Sequence, residues 1–202
     1  MFRDNPAVTH CYSLERDAIE METQGLTITE AQQDLRRAFV GGGPGAIVSG
    51  VIWLIAAFVM KQRGPGPAFA FLFFGGMLIF PLAQLASRFL FRRSPISKDN
   101  PLGRVALEST LAMIGGLFAA WLFLSIRPAY VFPIAAIAVG THYAAFRTVY
   151  DDALFWLLGA LLTTVGTMDI LGYARLPGGT ILAVGLIEIF FGIVFSVRAK
   201  QR

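Results

Sequence analysis

The chain has 202 residues, of which 55% are apolar and only 15% are charged. A soluble domain carries about 25% charged residues, so this composition argues against an ordinary soluble domain and favours a membrane protein. The net charge of +4 does not indicate nucleic-acid binding, because the basic residues lie in short loops between apolar runs and not on one soluble face. Cys11 is the only cysteine, which excludes an internal disulfide and a cysteine metal cluster.

The N-terminal segment, residues 1–43, is predicted to be cytoplasmic and to contain one helix at about 27–40. Thr27 and Glu30 have the spacing of a capping box, and the apolar residues that follow fall on one helical face. Such an amphipathic helix suits either the membrane surface or packing against the protein's own loops. Residues 1–26 show no periodicity, and no apolar core of a signal peptide is found at their start.

A glycine-rich turn, Gly41-Gly42-Gly43-Pro44-Gly45, links this helix to the first apolar run. Glycine can end a helix in a left-handed conformation, and proline fits the first turn of the next helix, so the turn is predicted to be a hinge. Glycine N–H groups at the start of a helix also attract anions. The alternative interpretation is therefore a contact with lipid phosphate, made together with Arg36 or Arg37.

Six apolar runs fill the rest of the chain, each nearly free of charge and close to the roughly 20 residues that a helix needs to cross a bilayer. Because lipid offers no partner for backbone N–H and C=O groups, such runs must be helices. The spans are predicted at residues 44–60, 68–87, 105–126, 130–146, 153–171 and 178–197. The predicted fold is therefore all-α, a polytopic bundle of six transmembrane helices over residues 44–202, with a kink expected at Pro81 in the second span.

Lysine and arginine residues orient the predicted spans. With both termini in the cytoplasm, eleven of the basic residues near the membrane lie inside and four lie outside. Since the positive-inside rule places the excess in the cytoplasm, the sequence predicts a multi-pass protein of the bacterial inner membrane with cytoplasmic N- and C-termini. The lipid bilayer is the partner that this implies, and association into a homo-oligomer is left open.

Short motifs across the membrane region resemble those of a known family. They are Asp34-Leu35-Arg36, Gly41 to Gly45, Ser49-Gly50, Trp53, Phe80-Pro81-Leu82-Ala83, Asn100-Pro101-Leu102 and Glu108-Ser109-Thr110. On these motifs the chain from Asp34 onward resembles an uncharacterised family of small bacterial six-helix membrane proteins. The resemblance implies the membrane fold and carries over no activity, cofactor or site residue.

Ionisable residues inside the predicted spans are the candidates for function, because each is costly when it faces lipid. Small residues at four-residue spacing mark the faces at which membrane helices meet. Three such stripes contain an ionisable residue: Glu108, Ala112, Gly116 and Ala120; Ala135, Ala138, His142 and Ala145; and Gly185, Glu188, Gly192 and Ser196. The fifth span adds a polar stripe of Gly159, Thr163 and Thr167. We therefore expect Glu108, His142 and Glu188 to point inward.

The candidate intramembrane polar site comprises Glu188, Glu108, His142, Arg147, Thr163 and Thr167. In one interpretation, Glu108 pairs with Arg147 or His142 and fastens two helices, while Glu188 stays neutral and hydrogen-bonded near mid-membrane. In the other, Glu188 faces an internal cavity, and these groups bind a proton, an ion or a small polar solute on its route across. The function that we predict first is a small transporter or channel-like protein, and the alternative is a membrane-resident binding or scaffold protein without transport.

An intramembrane enzyme is the least favoured class. His10 and His142 lie in different environments, and no acidic cluster supplies further metal ligands. Ser109 and Ser125 are possible nucleophiles, but neither has a histidine at a useful helical spacing. We therefore predict no catalytic residue, no metal and no cofactor, and the sequence names no substrate.

Overall fold

The computed structural model describes residues 26–173 and 179–201, and within these residues all regular structure is helical. The α-helices are α1 (Ile28–Ala38), α2 (Gly43–Arg63), α3 (Pro65–Gly76), α4 (Ile79–Phe89), α5 (Leu102–Ile126), α6 (Val131–Tyr150), α7 (Leu154–Ile170) and α8 (Gly179–Gln201). Short 3₁₀ turns, Val40–Gly42 and Pro128–Tyr130, precede α2 and α6. The expectations for residues 1–25 lie outside the described residues.

Among the described residues, four helical segments are long and apolar enough to cross a membrane, namely Val40–Arg63, Leu102–Ile126, Pro128–Tyr150 and Gly179–Gln201. The consecutive helices α3 and α4 together form a fifth candidate, bent by 48° at the break between them. Helix α7 is apolar but has 17 residues, a length of about 26 Å against the ~30 Å of a bilayer core. The chain is thus an all-α polytopic membrane protein, and its described part contains four or five spans by length and composition. This confirms the predicted class and leaves the count of six a prediction.

The second predicted span is broken close to Pro81. A proline ring has no N–H and collides with the carbonyl four residues earlier, which here belongs to Met77, between α3 and α4. At this break the backbone hydrogen bonds join residues three apart, whereas those of an α-helix join residues four apart. Met77 N donates to Phe74 O, and Leu78 N donates to Gly75 O. The kink expected at Pro81 therefore lies one turn before it.

The helices alternate in direction. Helices α2 and α8 pack antiparallel, with Gly50 against the backbone of Gly185, and α6 and α7 do the same, with Gly140 against the backbone of Gly159. As a result, one end of the bundle contains the starts of α2, α5 and α7 and the ends of α4, α6 and α8. We call this end, which carries α1, the α1 face.

Helix α1 forms where the capping box predicts it and packs on the bundle. The Thr27 hydroxyl accepts from Glu30 N, and the Glu30 carboxylate accepts from Thr27 N. Leu35 is buried, and the Gln32 side-chain amide donates to the carbonyl of Thr148 at 2.7 Å. The sequence allows α1 to lie either on the membrane surface or against the rest of the protein. In the structure it packs against the protein's own helix ends.

The glycine turn after α1 is a hinge, as predicted. Gly41 and Gly42 have φ angles of 62° and 80°, in the left-handed region that glycine adopts without steric cost. Pro44 lies in the first turn of α2, where its missing N–H would have had no helical partner. The turn redirects the chain from α1, along the face, into α2.

Asp34 holds α1 to the loop before α5. Its carboxylate accepts hydrogen bonds from Ser97 N at 2.9 Å, from Arg37 at 2.6 Å and from the Asn100 side-chain amide at 3.1 Å. Burial disfavours the charged form, but these donors outweigh it and lower the pKa of the Asp34 carboxyl to about 2. Asn100 also donates to the carbonyl of Ala31 at 2.9 Å, so α1 and the loop form one polar junction.

Acidification is expected to loosen α1 through Asp34. Because the pKa is lowered in the folded protein, the stabilisation is complete above the ordinary value of 3.8 and is lost as the pH falls toward 2, by about 2 kcal/mol. Hydrogen–deuterium exchange of the α1 amides, corrected for the intrinsic rate at each pH, should increase over this range. Asp34→Asn should exchange faster already at neutral pH, whereas Asp99→Asn, an exposed carboxyl in the same loop, should match the wild type. Equal protection in Asp34→Asn and the wild type at neutral pH would contradict this role.

Candidate functional site

A cavity of about 770 Å³ lies on the α1 face, and we call it the basic cavity. Its lining comes from five separate parts of the chain: α1, the glycine turn, the loop after α4, the turn between α6 and α7, and the end of α8. Tyr150 and Phe195 form an apolar part of the wall. The alternation of helix direction is what brings these segments to one place.

The basic cavity has an excess of positive charge. Its cations are Arg36, Arg37, Arg93, Arg198 and Lys200, and its carboxylates are Asp151 and Asp152. Arg36 lies 3.7 Å from Asp151, and Arg198 lies 3.4 Å from Asp152. Both separations exceed the roughly 2.7–2.9 Å of a charge-assisted hydrogen bond, so the carboxylates hold these arginines only loosely.

Both predicted lipid-phosphate contacts line this cavity. Arg36 is the residue loosely paired with Asp151, and Arg37 is bound by Asp34 at 2.6 Å. Gly41 of the hinge lines the same space. The hinge and the anion-binding interpretation of the glycine turn are therefore compatible, although a contact with lipid stays a prediction.

Glu188 is fully buried where α2, α6 and α8 meet, with 0% of the residue exposed. The Tyr143 hydroxyl donates to Glu188 Oε1 at 3.0 Å, and Ser49 lies beside the same carboxyl. The other oxygen, Oε2, makes no hydrogen bond to any described residue. Glu188 lines neither the basic cavity nor a small apolar groove between α3 and α5. It points inward as predicted, but into close packing.

Four glycines close the interface beside Glu188, and we call Gly43, Gly50, Gly185 and Gly192 the glycine seam. A Cβ atom on Gly50 would lie 2.7 Å from Gly185 O, and one on Gly192 would lie 2.9 Å from Gly43 O. The backbones of α2 and α8 are therefore in direct contact. The predicted stripe of Gly185, Glu188, Gly192 and Ser196 is buried throughout, which confirms that this face packs inward.

Glu108 is exposed on α5, so the prediction that it points inward is wrong. Ala112 is exposed as well, Gly116 is half-buried and only Ala120 is fully buried. The cause is helical geometry, because each four-residue step rotates a stripe by about 40° around the helix. Three such steps separate Glu108 from Ala120, which is enough to turn one outward and the other inward.

The predicted pairing of Glu108 with Arg147 or His142 is also wrong. Among the described residues, Glu108 has no ion-pair or hydrogen-bond partner. Arg147 donates to Asp151 at 2.9 Å, and His142 Nδ1 lies 2.8 Å from Ser109 Oγ. Arg147 and His142 therefore contact groups other than Glu108.

The Ser109–His142 pair joins α5 to α6. Spacing along one helix could not reveal it, because the histidine comes from the neighbouring helix. Neither the basic cavity nor the apolar groove reaches the pair, so its geometry fits a packing contact between spans better than a nucleophile that meets a substrate. Within the described residues, no group of three or more His, Cys, Asp or Glu side chains is arranged to hold a metal ion.

The two threonines of the candidate site lie on α7, apart from Glu188. Thr163 packs against Gly140 of α6, and Thr167 is half-buried. Within the described part of the chain, none of the six candidate residues is hydrogen-bonded to another. The structure therefore divides the predicted polar site into separate contacts.

Sequence reasoning missed the partner of Glu188 and most of the basic cavity. Tyr143 follows His142 directly on α6 and contacts α8, whereas His142 contacts α5. The available signal was a hydroxyl-bearing aromatic residue inside a predicted span. Arg93 and Arg198 carry no motif, and their role depends on segments that are distant in the sequence.

These features define the class: a polytopic α-helical membrane protein with a buried carboxyl group and a basic cavity at one face. The chain belongs to a family of unknown function, DUF7010, whose model matches residues 28–199. No curated protein and no solved structure matches it. Membership of an uncharacterised family is thus confirmed, while the motifs from which the resemblance was drawn stay a prediction.

Proposed function

We propose that the chain crosses the bacterial inner membrane six times, with residues 1–43 and the α1 face in the cytoplasm and residues 44–202 as the transmembrane domain. In this topology α3 and α4 form one bent span and α7 forms a short one. The alternating helix directions support it, and so does the excess of basic residues at the α1 face. A short span is accommodated by local thinning of the bilayer or by flanking side chains that reach the interface.

Cysteine labelling tests this topology. Ser97 lies exposed in the loop before α5, and Arg127 lies exposed at the opposite end of that helix. In a Cys11→Ser background, a Ser97→Cys variant should react with an impermeant maleimide only after the cells are permeabilised, whereas an Arg127→Cys variant should react in intact cells. Efficient labelling of position 97 in intact cells would overturn the proposed orientation.

Within this membrane, the chain acts as a membrane-resident binding protein, and the basic cavity is its binding site. One observation carries this conclusion: a cavity of about 770 Å³ that is lined by five cations and only two carboxylates. Its volume falls within the roughly 300–1,000 Å³ of ligand pockets in proteins. The charge excess favours an anion that arrives from the cytoplasm or from the inner leaflet.

Transport of a proton, an ion or a small polar solute past Glu188 is the second candidate. The buried Oε2 atom without a hydrogen-bond partner among the described residues favours it, as does a position near the middle of α8, the depth at which transporters keep their sites. The packing opposes it, because α2 and α8 are in backbone contact at the glycine seam and Glu188 has no exposed surface. The packing therefore favours the binding function.

Flux measurements in proteoliposomes separate the two functions. For the wild type we expect no flux of protons, cations or small polar solutes above that of protein-free liposomes, because the carboxyl lies in close packing. Glu188→Gln keeps the shape and removes the titratable group, and Glu108→Gln is the matched control on an exposed glutamate. A flux that Glu188→Gln abolishes and Glu108→Gln retains would overturn the binding function in favour of transport.

A further inference from the structure

We propose that the basic cavity recognises a phosphate group carried on a larger molecule, with Arg93 as the residue that aligns the phosphate. This inference rests on the proposed binding function and names its ligand class. The phosphate ester is either the headgroup of an anionic phospholipid or a soluble compound, since both present the same chemistry to the cavity.

Arg93 lines the cavity and carries a buried donor that has no partner among the described residues. Its Nε atom is buried and makes no hydrogen bond to any described residue, although the residue lines the cavity. Its backbone N donates to Ser87 O at 3.0 Å, which fixes the start of the side chain. A guanidinium group presents parallel N–H donors that match the oxygens of a phosphate, so Arg93 is suited to bind the anion that the charge of the cavity favours.

The remaining charges fit a phosphate ester better than a simple anion. Arg36 and Arg198 are held only loosely, at 3.7 and 3.4 Å from their carboxylates, and can turn toward a ligand. Asp151 and Asp152 would repel a bare polyanion, but they accept hydrogen bonds from hydroxyl or amino groups. A molecule with a phosphate at one end and hydroxyl or amino groups at the other can therefore bind both the arginines and the aspartates of the cavity.

Backbone strain is concentrated around the same cavity. The non-glycine residues with positive φ in the described part of the chain are Val40, Arg92 and Asp151, at 50°, 51° and 47°. Asp151 lines the cavity, while Val40 and Arg92 directly precede the lining residues Gly41 and Arg93. Such conformations are costly and cluster at ligand sites, where the surrounding structure holds them. Their grouping here indicates that the cavity has a defined shape.

The size of the cavity excludes free phosphate as its full occupant. A water molecule occupies about 30 Å³ in the liquid, and a phosphate group takes the space of only a few waters. A cavity of about 770 Å³ therefore has room for a substantial organic group. The apolar wall of Tyr150 and Phe195 suits its carbon skeleton.

Two binding measurements on the full-length protein test this proposal. Titration calorimetry in a neutral detergent measures glycerol 3-phosphate as the soluble probe, and native mass spectrometry of nanodiscs with equimolar phosphatidylglycerol and phosphatidylcholine measures retained lipid. We expect one probe to bind and Arg93→Gln to weaken it by more than about tenfold. Arg93→Lys should lie between them, because it keeps the charge but loses the paired donors. Arg88→Gln, an exposed arginine outside the lining, should have no effect.

Each outcome decides a separate question. Binding of glycerol 3-phosphate identifies a soluble ligand, and selective retention of phosphatidylglycerol identifies a lipid headgroup, and both support the proposal. Equal weakening by Arg93→Gln and Arg88→Gln overturns the proposal, because the effect is then one of general surface charge.

A third anion separates the phosphate inference from the proposed binding function. If citrate binds through Arg93 and neither phosphate probe does, the phosphate inference fails and the binding function stands. If no anion binds, both fail. Should Arg93→Gln fail to fold, Arg93→Lys tests the role of Arg93, and Arg198→Gln tests the cavity as the binding site.

Discussion

Replacing Gly50 with alanine is expected to destabilise the bundle, because the added methyl group would push α2 and α8 apart. The added Cβ would lie 2.7 Å from Gly185 O and 2.9 Å from Ile189 N, whereas Cβ atoms in proteins essentially never approach other heavy atoms to within 3.0 Å. Both contacts are with backbone atoms, so α2 and α8 would have to separate. Overpacking of this kind costs about 1–3 kcal/mol, which exceeds the gain of up to about 1 kcal/mol in helix propensity from glycine to alanine.

The measurement is the unfolding midpoint in detergent, by heat or by titration with a denaturing detergent. Gly115→Ala is the matched control, because Gly115 lies within α5 and a Cβ added there would meet no atom of another described element within 4 Å. That variant should be neutral or slightly stabilised. Equal shifts in the two variants would show that the glycine seam is not a close backbone contact.

Replacing Tyr143 with phenylalanine is expected to have the second large effect. The change removes only the hydroxyl that donates to Glu188 Oε1, and Oε2 already lacks a hydrogen bond among the described residues. A buried polar group that loses its partner costs about 1–3 kcal/mol, and the ring can keep its stacking on Phe155. The unfolding midpoint should therefore fall, whereas Tyr150→Phe, a buried tyrosine at the end of the same helix, should change it little.

A double-mutant cycle separates the hydrogen bond from other effects of the hydroxyl. Glu188→Met removes the carboxyl at similar volume, so Tyr143→Phe should cost less in this background than in the wild type. The difference between the two costs measures the interaction of the two side chains. If Tyr143→Phe costs the same in both backgrounds, the hydrogen bond does not stabilise the junction of α2, α6 and α8.

The spacing of small residues explains which helix faces could be predicted. On α8, the steps from Gly185 to Glu188 and on to Gly192 are three and four residues, whose rotations nearly cancel, so the stripe stays on one face and is buried. On α5, the stripe from Glu108 to Ala120 uses only four-residue steps and turns steadily around the helix. A strict four-residue pattern therefore identifies a packing face over one or two turns and not over a whole span.

Elements that depend on neighbouring residues follow from the sequence alone. The capping box of Thr27 and Glu30, the glycine hinge and the apolar runs each act through contacts within a few residues or through the need to satisfy the backbone in lipid. The all-α membrane class and the existence of α1 therefore needed no tertiary information. The break between α3 and α4 was predictable only in part. Pro81 predicts a kink, but the residues at which the helix breaks depend on the hydrogen bonds that form.

Only the tertiary structure decided which polar groups meet. Tyr143 reaches Glu188 across 45 positions of sequence, Ser109 reaches His142 across 33, and the basic cavity combines five segments that no local pattern connects. The orientation of a side chain on a helix changes by about 100° from one residue to the next, so Glu108 and Ser109 face different surroundings although they are neighbours. Composition and periodicity determine that this chain forms helices in a membrane. The rotation and pairing of those helices determine where its charges lie, and close backbone contacts help to fix them, such as the glycine seam between α2 and α8.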